Sequence, residues 1–327
     1  RAITVTADDL SRIYGDGDPA LTHQITSGSL AFGDTLAGAL TRDAGENVGA
    51  YAITQGTLGA SANYTLTFVD GTLTITPRAI TVTADDFSKI YGDADPGFTH
   101  AVTSGNLVFG DALAGALTRD AGEDVGAYAI TQGTLSAGAN YAVTFVDGTL
   151  TITPRAITVT ADDLSRVYGA ADPALTHQIT AGNLVFGDTL SGALARDAGE
   201  DVGAYAITQG TLSAGGNYTL TFEDGVLSIT PFGLVITADD LMRIYGDADP
   251  ALTYQITGGA LQGGDSISGA LTRVAGENAG VYAITQGTLT AGANYTLTFI
   301  DGALTIAPRA ITVTADDLAR IYGEADP

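Results

Sequence analysis

The sequence predicts an all-β (β-rich) protein that is built as a tandem array of like modules, and two observations support this. The first is a repeat of 77 residues, which gives four copies and the start of a fifth: residues 1–77, 78–154, 155–231, 232–308 and 309–327. The second is an alternation of apolar and polar residues inside each copy, typical of half-buried strands. Self-similarity at this period indicates an array of modules. We call the full copies modules 1 to 4 and expect each to be β-grasp-like or sandwich-like.

Strands are predicted in module 1 wherever apolar residues alternate with threonine or alanine, in residues 2–6, 51–54, 64–68 and 72–76. Asp70-Gly71 lies between the last two of these segments and favours a tight hairpin, because glycine accepts a positive φ. Asp34–Leu40 is the one segment that suggests a helical turn, which Gly38 weakens.

The connection between modules is short, since Pro77 ends one copy and Arg78 begins the next. Proline fixes φ and donates no hydrogen bond, so we expect this link to couple neighbours stiffly. A compact module of this size is about 30 Å across, and four in line predict an elongated rod of about 100–150 Å.

The amino-acid composition limits the classes of molecule that the chain could bind. The net charge is −24 and the 13 basic residues fall in three recurring slots, which argues against nucleic-acid binding. There is no cysteine, so thiol chemistry is absent and secretion is compatible. No apolar run approaches 18 residues, so we expect no membrane span in this segment. The repeat pattern runs through both termini, and we expect a longer parent chain.

Paired aspartates are the candidate metal ligands. In modules 1 and 2 they are Asp8, Asp9, Asp16, Asp18, Asp85, Asp86, Asp93 and Asp95. Hard oxygen ligands near a junction suit calcium, which takes six to eight of them. The competing interpretation, which we favour, is turn chemistry, in which aspartate and glycine shape the loops. Module 3 has Ala170 in the slot of Asp16, which weakens the calcium prediction. No other cofactor is predicted.

Three further kinds of recurring residue, namely histidine, tyrosine and arginine, favour structural roles. His23, His100 and His177 share a slot that we interpret as a half-exposed strand position. The tyrosine slots of Tyr14, Tyr51 and Tyr64 offer rings for stacking on carbohydrate, but packing is the favoured interpretation. Arg42 lies close to Glu46 and is expected to orient its own loop.

No catalytic site is predicted. The sequence has no cysteine nucleophile, G-x-S-x-G elbow, H-E-x-x-H pair, P-loop or dinucleotide fingerprint. Paired carboxylates alone would suit glycoside hydrolysis, yet a module of this size offers little room for a cleft. We therefore expect a protein that is not an enzyme.

Several spaced motifs agree in order with one known family. The carrying segments are YGDADP at 245–250, GENAGVYAITQGTL at 276–289 and NYTLTF at 294–299. The chain resembles the MBG/YDG family of bacterial extracellular repeats over essentially its whole length. The resemblance implies tandem β-rich domains in very large secreted proteins of Gram-negative bacteria, often adhesins or haemagglutinin-like proteins. Some relatives are linked to mucus binding, and the family also suggests the β-grasp-like alternative. Ala170 and residues 232–234 depart from the pattern.

These observations predict a non-enzymatic stalk or adhesin spacer, secreted or at the cell surface of a Gram-negative bacterium. One alternative is a self-assembling extracellular filament or sheath fibre, driven by exposed edge strands. A second alternative is a multivalent glycan binder that gains avidity from repetition. The predicted partners are a host or abiotic surface, glycans, or further copies of the chain.

Overall fold

The structure is a computed structural model that describes residues 1–327, and all of its regular structure is β-strand, as the sequence predicts. Seven strands recur in each module. Module 1 contains β1 (Ala2–Ala7), β2 (Leu10–Ile13), β3 (His23–Ser27), β4 (Thr41–Arg42), β5 (Gly49–Thr54), β6 (Thr65–Val69) and β7 (Gly71–Thr76). Module 2 contains β8 (Arg78–Ala84), β9 (Phe87–Ile90), β10 (His100–Ser104), β11 (Thr118–Arg119), β12 (Gly126–Thr131), β13 (Tyr141–Val146) and β14 (Gly148–Thr153).

The other two modules repeat this series. Module 3 contains β15 (Arg155–Ala161), β16 (Leu164–Val167), β17 (His177–Ala181), β18 (Ala195–Arg196), β19 (Gly203–Thr208), β20 (Tyr218–Glu223) and β21 (Gly225–Thr230). Module 4 contains β22 (Phe232–Ala238), β23 (Leu241–Ile244), β24 (Tyr254–Gly258), β25 (Thr272–Arg273), β26 (Gly280–Thr285), β27 (Tyr295–Ile300) and β28 (Gly302–Ala307). Residues 309–327 contain no strand. No helix in the chain has the length and apolar character needed to cross a membrane.

Each module is a pair of mixed sheets. In module 1 the strand order is β3-β1-β6 in one sheet and β2-β7-β5-β4 in the other. Ala7 of the first sheet packs in one buried cluster with Ile53 and Leu73 of the second, so the sheets face each other across the core. Burying an aliphatic side chain of this size contributes roughly 1.5–3 kcal/mol. The facing sheets match the sandwich-like alternative, and the helix that a β-grasp carries is absent.

The predicted hairpin at Asp70-Gly71 does not form. β6 lies parallel to β1, whereas β7 belongs to the other sheet, beside β2 and β5. The chain therefore changes sheet at this point. Gly71 is required by a close approach, because a Cβ there would lie 2.8 Å from the carbonyl oxygen of Ala7.

The predicted helical turn at Asp34–Leu40 does not form either. Ala37 makes an isolated antiparallel bridge with Gly59 instead, through two backbone hydrogen bonds of 2.9 and 2.7 Å. Gly38 has a φ of 99°, which lies outside the helical region. The glycine that weakens the helical pattern in the sequence thus adopts a positive φ directly after the bridge at Ala37.

The parallel strand pairs determine which residues lie next to each other at each end of a module. β2 and β7 run parallel and end together, with Ile13 opposite Thr76, so the loop after β2 emerges beside the link to the next module. β8 and β13 also run parallel and begin together, with Arg78 opposite Tyr141. The end of one module and the start of the next therefore present fixed sets of side chains.

The chain forms two compact units. The first contains Arg1–Arg155 and Gly216–Thr219, and the second contains Ala156–Gly215 and Leu220–Pro327. The first unit holds the complete junction of modules 1 and 2, and the second holds that of modules 3 and 4. The division into four domains stays a prediction from the repeat.

Candidate functional site

The junction of modules 1 and 2 begins with a turn that we call the tail loop, Tyr14–Asp16. It directly follows β2, and the Tyr14 N–H donates to the carbonyl of Thr76 at 2.9 Å. The turn closes with a 3.0 Å hydrogen bond from the Asp16 N–H to the Ile13 carbonyl. Only 4% of Tyr14 is exposed, because the following module covers it.

The covering surface on module 2 is the head face, which we define as Arg78, Val108, Phe109, Asp111, Asn140 and Tyr141. Two tyrosines meet one carboxylate there: the hydroxyls of Tyr14 and Tyr141 donate to Oδ2 of Asp111 at 3.0 and 2.8 Å. Burial, and then the hydrogen bond to Asp111, raises the pKa of Tyr14 above its usual value. The Tyr14 hydroxyl therefore stays neutral, and able to donate, to a higher pH than an ordinary tyrosine.

Aromatic packing accompanies these hydrogen bonds. The rings of Phe109 and Tyr141 each lie 5.5 Å from the Tyr14 ring, centroid to centroid, in edge-to-face contact. Phe109 adopts a φ of 55°, the left-handed region that non-glycine residues seldom occupy. The ring is thus held on the tail loop at a cost in backbone conformation.

Two polar side chains of the head face clamp the backbone of module 1. Arg78 Nε donates to the Tyr14 carbonyl at 2.7 Å, and Arg78 also pairs with the Asp16 carboxylate. Asn140 accepts a 2.9 Å hydrogen bond from the Val48 N–H and donates to the side chain of Asn47 at 3.0 Å. In the same unit, Arg155 repeats the contacts of Arg78.

The junction of modules 3 and 4 keeps the tyrosines, the aspartate and the asparagine. Tyr168 and Tyr295 donate to Oδ2 of Asp265 at 3.0 and 2.8 Å. Asn294 accepts a 2.9 Å hydrogen bond from the Val202 N–H. These contacts reproduce those of the first unit to within 0.1 Å.

Four other positions of this junction differ together. Phe232 replaces Arg78, and Ala170 replaces its partner Asp16, so both charges of the ion pair are missing. Phe232 packs edge-to-face on Tyr295 at 6.3 Å. Gln262 and Gly263 stand where module 2 has Val108 and Phe109, and they help to line a cavity of about 220 Å³ beside Tyr168.

Each module also contains a closed ring of ion pairs. In module 1 the ring alternates Arg12, Asp18, Arg42 and Glu46, with N–O distances of 2.5 to 2.8 Å. Arg12 Nε lies 2.7 Å from Asp18 but off the N–H axis, so this contact is an ion pair without an aligned hydrogen bond. The guanidinium of Arg42 lies 5.6 Å above the Tyr51 ring.

The ion-pair ring changes the pKa values of its carboxylates. The hydrogen bond from Arg42, with further contributions from Arg12, lowers the pKa of Asp18. Lys89 takes the place of Arg12 in module 2 and pairs with Asp95 and Glu123 at 2.7 and 2.6 Å. Arg42 and Glu46 therefore do more than orient one loop, because they belong to this ion-pair ring.

The candidate calcium ligands of module 1 make separate contacts. Asp8 accepts a 2.8 Å hydrogen bond from Gln24, and Asp9 accepts one of 2.8 Å from the Thr72 N–H. Asp16 pairs with Arg78, and Asp18 belongs to the ion-pair ring. Calcium binding by these residues stays a prediction.

The four candidates of module 2 follow the same scheme. Asp85 accepts from the Thr99 hydroxyl, Asp86 from the Thr149 N–H at 2.7 Å, Asp93 pairs with Arg155, and Asp95 joins the ring. The structure brings no three acidic or histidine side chains together in a group that could hold a metal ion. The histidine slot is half-buried at the first residue of β3, as expected.

Sequence reasoning identified the recurrent tyrosines but missed the partners of Tyr14 in the next module. Asp111 and Asn140 lie 97 and 126 residues further along the chain, and no periodicity links them to Tyr14. One signal was present: the two departures from the repeat pattern, Ala170 and Phe232, flank a single junction. Because Ala170 and Phe232 depart from the pattern together, they identify the two surfaces that meet at this junction.

Comparison with known proteins yields one family. The family model described as MBG domain (YGX type) matches four segments: residues 3–74, 80–151, 157–228 and 234–305. These segments fall one in each module and together cover most of the chain. No curated protein matches the chain.

Proposed function

Because the chain belongs to the MBG domain family of the YGX type, we propose that it is a non-enzymatic extracellular spacer of a bacterial surface protein. In this role its modules hold a functional part of the protein at a set distance from the cell. The family supports an extracellular repeat region. The stalk or adhesin role and the Gram-negative source are our proposal.

The observation that carries the proposal is the interlocking of neighbours within each unit. On its own, a two-residue Pro-Arg link leaves the backbone of the arginine free to rotate. The Tyr14 ring is instead enclosed by the next module, Arg78 binds the Tyr14 carbonyl, and Asn140 binds the Val48 N–H. Three separate contacts oppose rotation at the link, which is the property that a spacer needs.

The composition suits the same role. A net charge of −24 keeps such chains apart and soluble. The ion-pair rings neutralise buried basic groups within each module, so the remaining acidic surface faces water. A host surface or glycan at the far end of the parent protein is the partner that this proposal implies.

Electron microscopy of the purified chain, with calcium and with chelator, tests the proposal. We expect modules 1 and 2 to keep one fixed arrangement in both conditions, and likewise modules 3 and 4. The matched variant Asn140→Ala with Tyr14→Ala should bend at one point only, between modules 1 and 2. A variable arrangement within either pair in the unmodified chain would contradict the spacer role, and a fixed arrangement only with calcium would assign rigidity to the metal.

A further inference from the structure

Module 4 differs from the other modules on the outer surface of its second sheet, which contains β23, β28, β26 and β25. We call this surface the apolar face and define it as Met242, Ile244, Val274, Val281, Ala283 and Ala303. Ile284, Leu304 and Ile306 alternate with these residues along the same strands and are buried in the core. Because successive residues of a strand point to opposite sides, the apolar face points away from the core.

The strand register brings the largest of these side chains together. Thr305 of β28 lies opposite Met242 on one side and Val281 on the other, so the three residues form one row across the sheet. Met242 and Val281 are 69% and 70% exposed. Thr305 between them is half-buried, whereas its counterpart Thr74 in module 1, which lies between a serine and an alanine, is exposed. The two apolar side chains therefore form a contiguous surface.

A second row of the apolar face has lost a charge. Ala283 pairs with Ala303, and the Val274 N–H extends this row by donating to the Ala283 carbonyl at 2.9 Å. The slot of Val274 holds an aspartate in the other three modules, namely Asp43, Asp120 and Asp197. The slots of Met242 and Val281 likewise hold serine and alanine in all three. Three polar or small residues have thus become larger apolar ones on one surface of one module.

A neighbouring module does not cover this surface. Ser11, Asp43 and Ala50 occupy the corresponding slots of module 1, and they remain exposed although module 2 is packed against module 1. The corresponding residues of module 3 remain exposed beside module 4 in the same way. The exposure of the apolar face is therefore a property of the module itself. Single exposed apolar residues are common on proteins, but a contiguous group of them is typical of a contact surface.

We propose that the apolar face of module 4 binds the same face of a second copy of the chain. The argument rests on charge. Each copy has a net charge of −24, so a second copy approaches only where carboxylates are absent from the contact. In a two-fold contact each surface meets itself, and an aspartate in the slot of Val274 would meet its own like charge. Module 4 is the module that lacks this aspartate.

The contact is expected to be weak and to stop at two copies. A two-fold contact uses the same surface on both chains, so it leaves no second surface for further growth. A contact confined to one outer sheet face of one module is small for a protein interface. Salt should strengthen it, because salt screens the repulsion between two acidic chains. All of its residues belong to one compact unit. The proposal does not depend on the spacer function.

Sedimentation equilibrium of the full chain tests the proposal, at concentrations up to about 1 mM, where contacts of millimolar Kd are populated. We expect the weight-average mass to rise towards that of a dimer and no further, and to rise more at about 0.5 M salt than at low salt. Met242→Ser combined with Val274→Asp and Val281→Ala should weaken the association by at least about tenfold. The new residues are natural to the same slots of modules 1 to 3, so the fold is kept.

Val226→Thr is the matched control. Val226 is 38% exposed on the corresponding surface of module 3, which keeps Asp197, and threonine is the natural residue of its slot in modules 1 and 2. This substitution should leave the association unchanged. A chain that stays monomeric at the highest concentration and salt would overturn the proposal, as would association that survives the triple substitution or grows beyond a dimer.

Flotation with phosphatidylcholine vesicles tests the competing occupant, a lipid surface. We expect the chain to remain free of the vesicles. A monomeric chain that floats with them, and no longer does so after the triple substitution, would overturn the dimer and assign the apolar face to lipid.

Discussion

The junction of modules 1 and 2 and the junction of modules 3 and 4 share one set of contacts and differ in another. Both place two tyrosine hydroxyls on one aspartate, and both use an asparagine to hold a backbone N–H of the preceding module. Only the first has the Arg78–Asp16 ion pair and the Phe109 ring. The shared set is therefore kept in both junctions, with or without the ion pair and the Phe109 ring.

The variable set teaches a second point, because Arg78 and Asp16, which pair across the junction, change together. Loss of Asp16 alone would leave Arg78, whose side chain is 19% exposed, without its carboxylate. An ionised group that loses its partner on partial burial costs free energy. At the second junction both members are uncharged, as Ala170 and Phe232. The shared contacts thus set the position, and the paired ones match a particular tail loop to a particular head face.

Removal of the Tyr14 ring is expected to have the largest effect. Tyr14→Ala empties an enclosed site and should lower the melting temperature of the affected transition by about 10 °C. Tyr245→Ala is the matched control, since Tyr245 occupies the same slot but is 48% exposed. Its shift should stay within about 2 °C. Equal shifts in differential scanning calorimetry would mean that the junction contributes nothing to stability.

Alkaline pH should weaken both junctions through their tyrosines. Burial and Asp111 raise the pKa of Tyr14, and the hydrogen bond to Asp265, followed by burial, raises that of Tyr168. The folded state therefore favours the neutral hydroxyl. This contribution is complete below about pH 10, the unfolded value, and is lost as pH rises through the raised folded pKa.

Urea unfolding between pH 8 and pH 11.5 measures this loss. Tyr14→Phe combined with Tyr168→Phe should make the curve of stability against pH shallower above pH 10. Tyr51→Phe is the control, because the Tyr51 hydroxyl donates to a backbone carbonyl of its own loop. The prediction fails if the double substitution leaves the slope unchanged.

A double-mutant cycle on Arg78 and Asp16 should show coupling of moderate size. Arg78→Phe and Asp16→Ala together should cost less than the sum of the single substitutions, by about 0.5–1 kcal/mol, since Asp16 is half exposed. The reciprocal cycle, Phe232→Arg with Ala170→Asp, should couple with the same sign. Additive effects in both cycles, measured by urea unfolding, would show that the residues do not change as a pair.

Gly263→Phe should have the smallest effect. The φ of 57° at Gly263 disfavours phenylalanine, but a Cβ there meets open space and the ring can reach Tyr168. The backbone strain destabilises the folded state by about 1 kcal/mol, and the contact between the two rings stabilises it by about the same amount. We expect a change in unfolding free energy within about 1 kcal/mol, together with slower chemical nitration of Tyr168. Faster nitration would place the new ring elsewhere.

The sequence predicts the repeat, the strand class and the family because these depend on local periodicity. Alternation in residues 72–76 identifies β7 without knowledge of its neighbours. The hairpin at Asp70-Gly71 was predicted wrongly for the same reason, since local turn chemistry does not reveal that β6 pairs with β1 in another sheet. The close approach of Gly71 to Ala7 is a tertiary constraint.

The contacts at the junction were harder to predict from the sequence than the fold. The Asp16 slot looks like turn chemistry or a calcium ligand from sequence alone, and its partner Arg78 lies 62 residues away in the next module. The proximity of Arg42 and Glu46, which form an ion pair, was visible in the sequence because they are four residues apart. Arg12 and Asp18 complete that ring through contacts that depend on how β2 lies beside β7.

The most direct test of interlocked neighbours is a distance distribution between spin labels on modules 1 and 2. The chain has no cysteine, so Thr67→Cys and Thr144→Cys, at equivalent exposed positions of β6 and β13, give two unique labelling sites. We predict a narrow distribution from double electron–electron resonance, which broadens when Tyr14→Ala and Asn140→Ala are added. A broad distribution in the parent, unchanged by these substitutions, would contradict the interlocked junction.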